Sequence, residues 1–147
     1  MSWANAKVRY EIAIEYRDGV NGKPQDEGKY IEYLTESLGM HESVPLLTEL
    51  ANFYADKAHV SLEGEPVGPE YLLAHQFWER AAELGDGISQ SRVMDNYAWG
   101  IGLVKLNLKE AIFWGALALR NEENLKDAEL IESIELTMRW ACAEYFD

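Results

Sequence analysis

A short pattern of apolar residues recurs three times along this chain and limits its possible folds more than any other feature. Each copy places an apolar residue four positions before a tyrosine, and the three tyrosines are Tyr16, Tyr54 and Tyr97. Side chains at this spacing share one face of an α-helix. A glycine three residues after the tyrosine, Gly19 or Gly100, fits a helix end where φ is positive. The pattern therefore predicts three helices related by an internal repeat.

A second helix is predicted after each tyrosine helix. Asn107 and Glu110 have the spacing of a capping box, Gly68-Pro69 is typical of a helix start, and Asp26 caps a weaker third copy. The distance from the tyrosine to this second helix is longer in the middle repeat, which indicates a six-residue insertion within "KAHVSLEGEPVGP". Two of the second helices carry small and aromatic residues at identical spacing: Ala74, Phe77, Ala81 and Ala82 in one, and Ala111, Trp114, Ala118 and Leu119 in the other.

These pairs predict three helical hairpins, over approximately residues 4–39, 43–85 and 88–120. Apolar residues at helical spacing with acidic residues between them predict a C-terminal capping helix over approximately 124–146. A single hairpin cannot bury its apolar face alone, so neighbouring hairpins must stack. We therefore predict an all-α fold in one domain, residues 1–147: an α/α solenoid of about three helical hairpins plus the capping helix.

Within the middle hairpin, "FWERAAELGDG" is the most informative segment. Phe77, Ala81 and Ala82 are predicted to lie in the core, and Gly85 is the helix stop. Trp78 is predicted to lie at the edge of that face and to pack between hairpins. The order of apolar residue, small residue, tyrosine and glycine, followed by Ala-x-x-Phe/Trp and Ala-Ala-x-x-Gly, resembles the Sel1-like repeat. The resemblance covers roughly residues 4–120 and implies an α/α solenoid related to tetratricopeptide repeats, with the first helix of each hairpin on the concave surface.

Charge and composition exclude several classes of function. The chain has 147 residues with 13 basic and 26 acidic side chains, a net charge of −13. Phosphate backbones would be repelled, whereas a basic protein surface would be attracted; the plainer alternative is that the acidity only maintains solubility. No segment approaches the ~20 apolar residues of a membrane span. The N-terminal segment lacks the apolar region of a secretory signal, and Cys142 is the single cysteine, so we expect a cytoplasmic protein.

Motifs for catalysis and for cofactor binding are not found in the sequence. Gly100, Gly102 and Lys105 fit no phosphate-binding loop, and the three histidines fit no zinc pattern. Cys142 has no base or cation nearby in the sequence, so a packed small side chain is the better interpretation. We predict that the chain is not an enzyme and takes no cofactor or metal.

The first helices offer a candidate binding face. Positions five and two residues before each tyrosine, and two after it, lie opposite the core face. If the hairpins stack in register, these positions form an acidic groove for a protein with a basic surface; the alternative is a solvated acidic face. Trp99 would anchor the partner at one end, or would instead pack under the 57–69 loop. The predicted groove residues are Glu11, Asp18, Glu49, Asn52, Asp56, Arg92, Asp95 and Trp99. Ile14 occupies one further position of the same rows.

The inserted loop is the second candidate, because insertions in repeats map to loops that often bind partners. Glu63 and Glu65 make it polar, and Val60 and Leu62 are expected to anchor it to the domain. The alternative is a tolerated surface insertion.

The leading hypothesis is a non-catalytic protein–protein interaction module, either an immunity protein that neutralises a bacterial toxin or a cytosolic adaptor. The alternatives are an acidic charge mimic that inhibits a nucleic-acid-binding protein, an unrecognised enzyme, or a self-assembling protein.

Overall fold

The computed structural model describes residues 3–147, and this part of the chain is almost entirely helical. A two-stranded antiparallel hairpin interrupts the helices, with His59 opposite Val67. A 3₁₀ turn covers Asn124–Lys126. The elements in chain order are α1 (Trp3–Asp18), α2 (Glu27–Met40), α3 (Val44–Lys57), β1 (His59–Val60), β2 (Pro66–Val67), α4 (Pro69–Glu83), α5 (Gly87–Trp99), α6 (Leu108–Arg120) and α7 (Ala128–Phe146).

The predicted all-α fold is confirmed, since α1–α2, α3–α4 and α5–α6 coincide with the three predicted hairpins. The six-residue insertion corresponds to the β1–β2 hairpin. The terminal helix starts slightly later than predicted, at Ala128, because Asp127 caps it by accepting a hydrogen bond from the Leu130 amide at 3.1 Å. Among residues 3–147, no helix has the length and apolar character needed to cross a bilayer.

The predicted caps set the helix ends. Asp26 and Asn107 accept hydrogen bonds from the amides of Lys29 and Glu110, both at 3.1 Å, which satisfies donors that the first turn of a helix leaves unpaired. Gly100 ends α5 in the left-handed region at φ +61°. The repeat pattern therefore encodes helix boundaries as well as helix faces.

The chain forms two compact units, and the boundary lies within α3, between Leu50 and Ala51. In the first unit α1 packs along α2. Ala13, Leu34 and Leu47 are fully buried there. The buried Ser37 hydroxyl donates a hydrogen bond to the Ala6 carbonyl oxygen at 2.7 Å, so the contact between these two helices includes a satisfied polar pair.

The second unit is built around small residues that let helices approach closely. Its buried core comprises Ala51, Ala74, Trp78, Ala82, Val93, Met94, Trp114, Ala118 and Ile134. Trp78 packs between the hairpins as predicted, but it lies in the core at 3% exposure instead of at the edge of the buried face. Phe77, predicted to lie in the core, is only partly buried; it packs against the core and stacks on Tyr54. The reason is helical geometry, because Trp78 shares its i, i+4 stripe with Ala74 and Ala82.

Candidate functional site

Helices α5 and α7 meet through two side-chain contacts on one face of the second unit. The Trp99 indole is 49% exposed and stacks on Trp140, with ring centroids 4.2 Å apart and planes 24° apart. One turn earlier, the Thr137 hydroxyl donates a hydrogen bond to Asp95 Oδ1 at 3.4 Å. Trp99 therefore packs on the terminal helix, and the alternative that it packs under the 57–69 loop was wrong.

Asp95 is partly buried, whereas Arg92 is exposed. Burial raises the pKa of the Asp95 carboxyl, while the Thr137 hydrogen bond and the charge of Arg92 oppose the shift. The Arg92 guanidinium lies 4.9 Å from the centroid of the Trp78 ring, a cation–π contact. Trp99 is thus the most accessible apolar group at this row of α5.

Two carboxylates of the second unit are exposed, one on α7 and one on α3. Asp56 and its neighbour in the predicted row, Asn52, are exposed on α3. Glu144 is exposed on α7, one turn after Trp140 and on the same helical face. We define the aromatic face as Trp99, Trp140, Asp95, Thr137 and Glu144.

In the first unit, Glu49 is committed to internal contacts. Arg17 Nη1 donates to Glu49 Oε1 at 2.7 Å, and the Tyr30 hydroxyl donates to Glu49 Oε2. Burial and this hydrogen bond raise the pKa of Tyr30. Arg17 also pairs with Asp18 at 2.9 Å and holds the pKa of that carboxyl below its ordinary value. The predicted row thus includes two carboxylates that already share one guanidinium.

A shallow pocket of about 480 Å³ does bring together part of the predicted row. Glu11, Ile14 and Glu49 all line it, beside Tyr10 and Arg17. Asp18 does not line the pocket. Glu11 remains exposed at its edge.

The inserted loop is an ordered protrusion. The Ser61 amide donates to the Glu65 carbonyl oxygen at 2.7 Å and closes the turn between β1 and β2. Val60 is 64% exposed and Leu62 is fully exposed, so the expectation that they anchor the loop was wrong. Glu63 and Glu65 are also exposed.

Comparison with known proteins identifies the fold. No family model matches the chain, and no curated protein matches it. A Sel1 repeat protein from Oxalobacter formigenes has a TM-score of 0.64 and 20% sequence identity, covering 89% of this chain and 88% of that one. The chain has the Sel1-repeat fold.

A second Sel1-repeat structure supports the same assignment. It is a protective antigen present in uropathogenic Escherichia coli strains, displaying an SLR fold, with a TM-score of 0.57 and 21% identity. The match covers 78% of this chain and 22% of the antigen. The resemblance to the Sel1-like repeat that rests on the tyrosine and alanine patterns is therefore confirmed at the level of fold.

Sequence reasoning missed a buried polar network in this Sel1-repeat fold. His75 is 3% exposed; its Nδ1 faces the Asn96 side-chain amide at 3.0 Å and its Nε2 lies 3.1 Å from Glu79. The Tyr97 hydroxyl also donates to Glu79 at 2.9 Å. The His75 and Tyr97 hydrogen bonds lower the pKa of Glu79. The i, i+4 spacing of His75 and Glu79 was the available sequence signal.

This network has a structural role consistent with its hydrogen bonding. With Asn96 as donor, His75 Nδ1 accepts, so the ring proton is on Nε2 and is donated to Glu79. Both ring nitrogens of His75 therefore have a hydrogen-bonding partner within the domain. Elsewhere in residues 3–147, no three His, Cys, Asp or Glu side chains are arranged to hold a metal ion.

Proposed function

We propose that this chain is a non-catalytic protein–protein interaction module that binds a basic surface of a partner protein. The observation that carries the proposal is the half-exposed Trp99, which stacks on the partly buried Trp140 of the aromatic face. Stacked helical repeats create extended binding surfaces, and tryptophan is enriched among the residues that dominate binding energy. The Sel1-repeat fold supports a protein-binding role in general.

The charge of the chain supports a basic partner. A net charge of −13 attracts a cationic surface over a distance limited by the Debye length, about 8 Å at physiological ionic strength. Glu144 supplies an exposed carboxylate one turn after Trp140 on α7, and Asp56 is a further exposed carboxylate of the second unit, on α3. In this arrangement the tryptophans contribute affinity, and the acidic groups raise the association rate and make it sensitive to salt.

Two biological settings fit such a module, and both place it in the cytoplasm. An immunity protein would mask a toxin by covering its basic surface, and an adaptor would join components of a cytosolic complex. The saturation of His75 by Asn96 and Glu79 supports a non-catalytic role. A toxin-neutralising role further requires that partner activity fall in proportion to complex formation.

The experiment is affinity capture from the native cell, followed by reconstitution with the purified partner. Trp99→Ala is expected to weaken binding by roughly tenfold or more, as for a residue that dominates an interface. Asp56→Lys should reduce the association rate and its dependence on salt. Glu135→Lys is the control, because this exposed residue of α7 points away from the face that carries Trp140.

The outcome that contradicts the proposal is a partner whose affinity and salt dependence are the same for the wild type, Trp99→Ala and Asp56→Lys. A partner that is a nucleic-acid-binding protein, and that DNA displaces competitively, would instead favour the charge-mimic alternative. The unpaired exposed carboxylates are compatible with that alternative, but the stacked tryptophans have no counterpart in a phosphate backbone.

A further inference from the structure

Three large aliphatic side chains are exposed at the turns that join α4 to α5 and α6 to α7. Leu84 ends α4 and is 55% exposed, Ile88 lies in the first turn of α5 at 57%, and Leu125 lies in the 3₁₀ turn before α7 at 57%. Exposing one such side chain is ordinary, whereas a group of them commonly marks an interaction surface.

Hydrogen bonds hold the two turns against each other. The Asn121 side-chain amide donates to the Gly85 carbonyl oxygen at 2.8 Å. Asn124, which is 1% exposed, donates to the carbonyl oxygens of Gly87 and Ala118, both at 3.0 Å. A methyl group on Gly87 would lie only 2.5 Å from Asn124 Oδ1. The side chains of Asn121 and Asn124 thus join the two turns directly, and Leu84, Ile88 and Leu125 lie within three residues of these hydrogen-bonded positions.

Exposed carboxylates lie close in sequence to these leucines. Glu83 precedes Leu84 directly, and Glu122 and Glu123 lie three and two residues before Leu125. None of the three forms an ion pair among the contacts of residues 3–147. The nearby Arg120 directs its Nε to the Ala116 carbonyl oxygen at 3.3 Å, while Lys126 is exposed. We define the turn edge as Leu84, Ile88 and Leu125 with Glu83, Glu122 and Glu123.

We propose that the turn edge docks an amphipathic basic helix of a partner protein. The aliphatic face of such a helix would cover the three exposed side chains, and its lysines or arginines would neutralise the three glutamates. A second copy of this chain fits poorly, because two chains of net charge −13 repel each other. Anionic lipid and nucleic acid are disfavoured for the same reason.

The turn edge is a second surface, separate from the aromatic face. Ile88 lies in the first turn of α5 and Trp99 is its last residue, so the two are about 16 Å apart along the helix axis. The inference therefore goes beyond the proposed function and can fail or succeed independently of it.

The test uses two synthetic fourteen-residue peptides as probes. Both have the same leucine residues along one helical face, and all remaining positions are lysine in one peptide and glutamate in the other. Binding to the full chain is measured by fluorescence anisotropy. The lysine peptide is expected to bind, and the glutamate peptide is not. The triple variant Leu84→Ser, Ile88→Ser and Leu125→Ser should weaken binding roughly tenfold or more. A second variant, Glu83→Lys, Glu122→Lys and Glu123→Lys, should weaken it and flatten its salt dependence.

Leu136→Ser is the matched control, because Leu136 is 54% exposed on α7, about 12 Å along the helix axis from its first residue, Ala128. The proposal is overturned if neither peptide binds, if the glutamate peptide binds equally well, or if the serine and lysine variants both bind like the wild type. If the serine variant does not fold, the lysine variant alone decides.

Discussion

The indole rings of Trp99 and Trp140 stack across the junction of the last helical hairpin and the terminal helix. One turn away, Thr137 donates its hydroxyl proton to Asp95. The same helix also contributes Ile134 to the buried core of the second unit. The terminal helix is therefore attached by apolar burial, by an aromatic stack and by a hydrogen bond, so substitutions on this face affect both stability and binding.

The stack should be measurable as an energetic coupling. Stacked aromatic pairs contribute about 0.5–1.5 kcal/mol beyond their burial, so Trp99→Ala and Trp140→Ala should each lower the free energy of unfolding. The double variant should lose less than the sum of the two by about that amount. Urea unfolding of the four proteins gives the cycle. Losses that add within about 0.3 kcal/mol would contradict a direct interaction.

Gly87→Ala should be one of the more damaging single-methyl substitutions in the chain. Its Cβ would lie 2.5 Å from Asn124 Oδ1 and 2.8 Å from Asn121 Oδ1, and Asn124 is buried with its amide bonded to two carbonyl oxygens. Overpacking of this kind costs about 1–3 kcal/mol. Thermal unfolding should show the lower midpoint.

Gly39→Ala is the control for that substitution. Gly39 lies within α2, and a Cβ there meets nothing within 4 Å. Replacing a helical glycine by alanine at an open site stabilises by about 0.5–1 kcal/mol. Equal destabilisation by the two alanine variants would show that the Gly87–Asn124 contact does not limit the space at Gly87.

The helix pairs could be predicted from sequence because their signals are local. Asp26 and Asn107 cap helices through amides three residues away, and the tyrosine spacing depends on one helix alone. These short-range rules gave the three hairpins and the terminal helix. The full burial of the Trp78 side chain was not predicted, because the face of α4 that becomes buried depends on which helices pack against it. That packing is a tertiary property.

The candidate site was harder to predict because its residues find partners far along the chain. Glu49 meets Arg17 across 32 positions, and Asp95 meets Thr137 across 42. Both are acidic residues at helix positions that the spacing alone predicts to be open. Helical periodicity indicates which residues leave the core of one hairpin, but it does not show which of them a neighbouring helix then covers.

Tyr30→Phe should destabilise the first unit. Tyr30 is 6% exposed and its hydroxyl donates to the Glu49 carboxylate. A hydrogen bond to a charged group contributes about 1.5–3 kcal/mol, and part of this loss is offset because Arg17 still pairs with Glu49. Urea unfolding followed by circular dichroism measures the loss. Tyr145→Phe removes a hydroxyl from an exposed side chain, and it should leave the unfolding midpoint unchanged; a similar loss in both variants would contradict a specific role for the Tyr30 hydroxyl.

Asp95→Asn should stabilise the protein at neutral pH. The ordinary pKa of an aspartate is 3.8, and burial raises that of Asp95 in the folded state. Between the unfolded and folded pKa values, the folded protein therefore binds more protons than the unfolded chain, and this group makes stability fall as the pH rises. Asparagine keeps an oxygen that accepts the Thr137 hydroxyl proton but carries no charge to desolvate.

The difference in unfolding free energy between Asp95→Asn and the wild type should thus be largest at neutral pH. It should shrink as the pH falls through the folded pKa of Asp95, and it should be smallest below the unfolded value, where the aspartate is protonated in both states. Urea unfolding at a series of pH values measures this difference, in which the titration of all other groups largely cancels. Asp56→Asn makes the same chemical change at an exposed position on α3. A pH-independent difference for Asp95→Asn, or a lower stability than the wild type at neutral pH, would show that Arg92 and Thr137 stabilise the charged carboxylate more than burial penalises it.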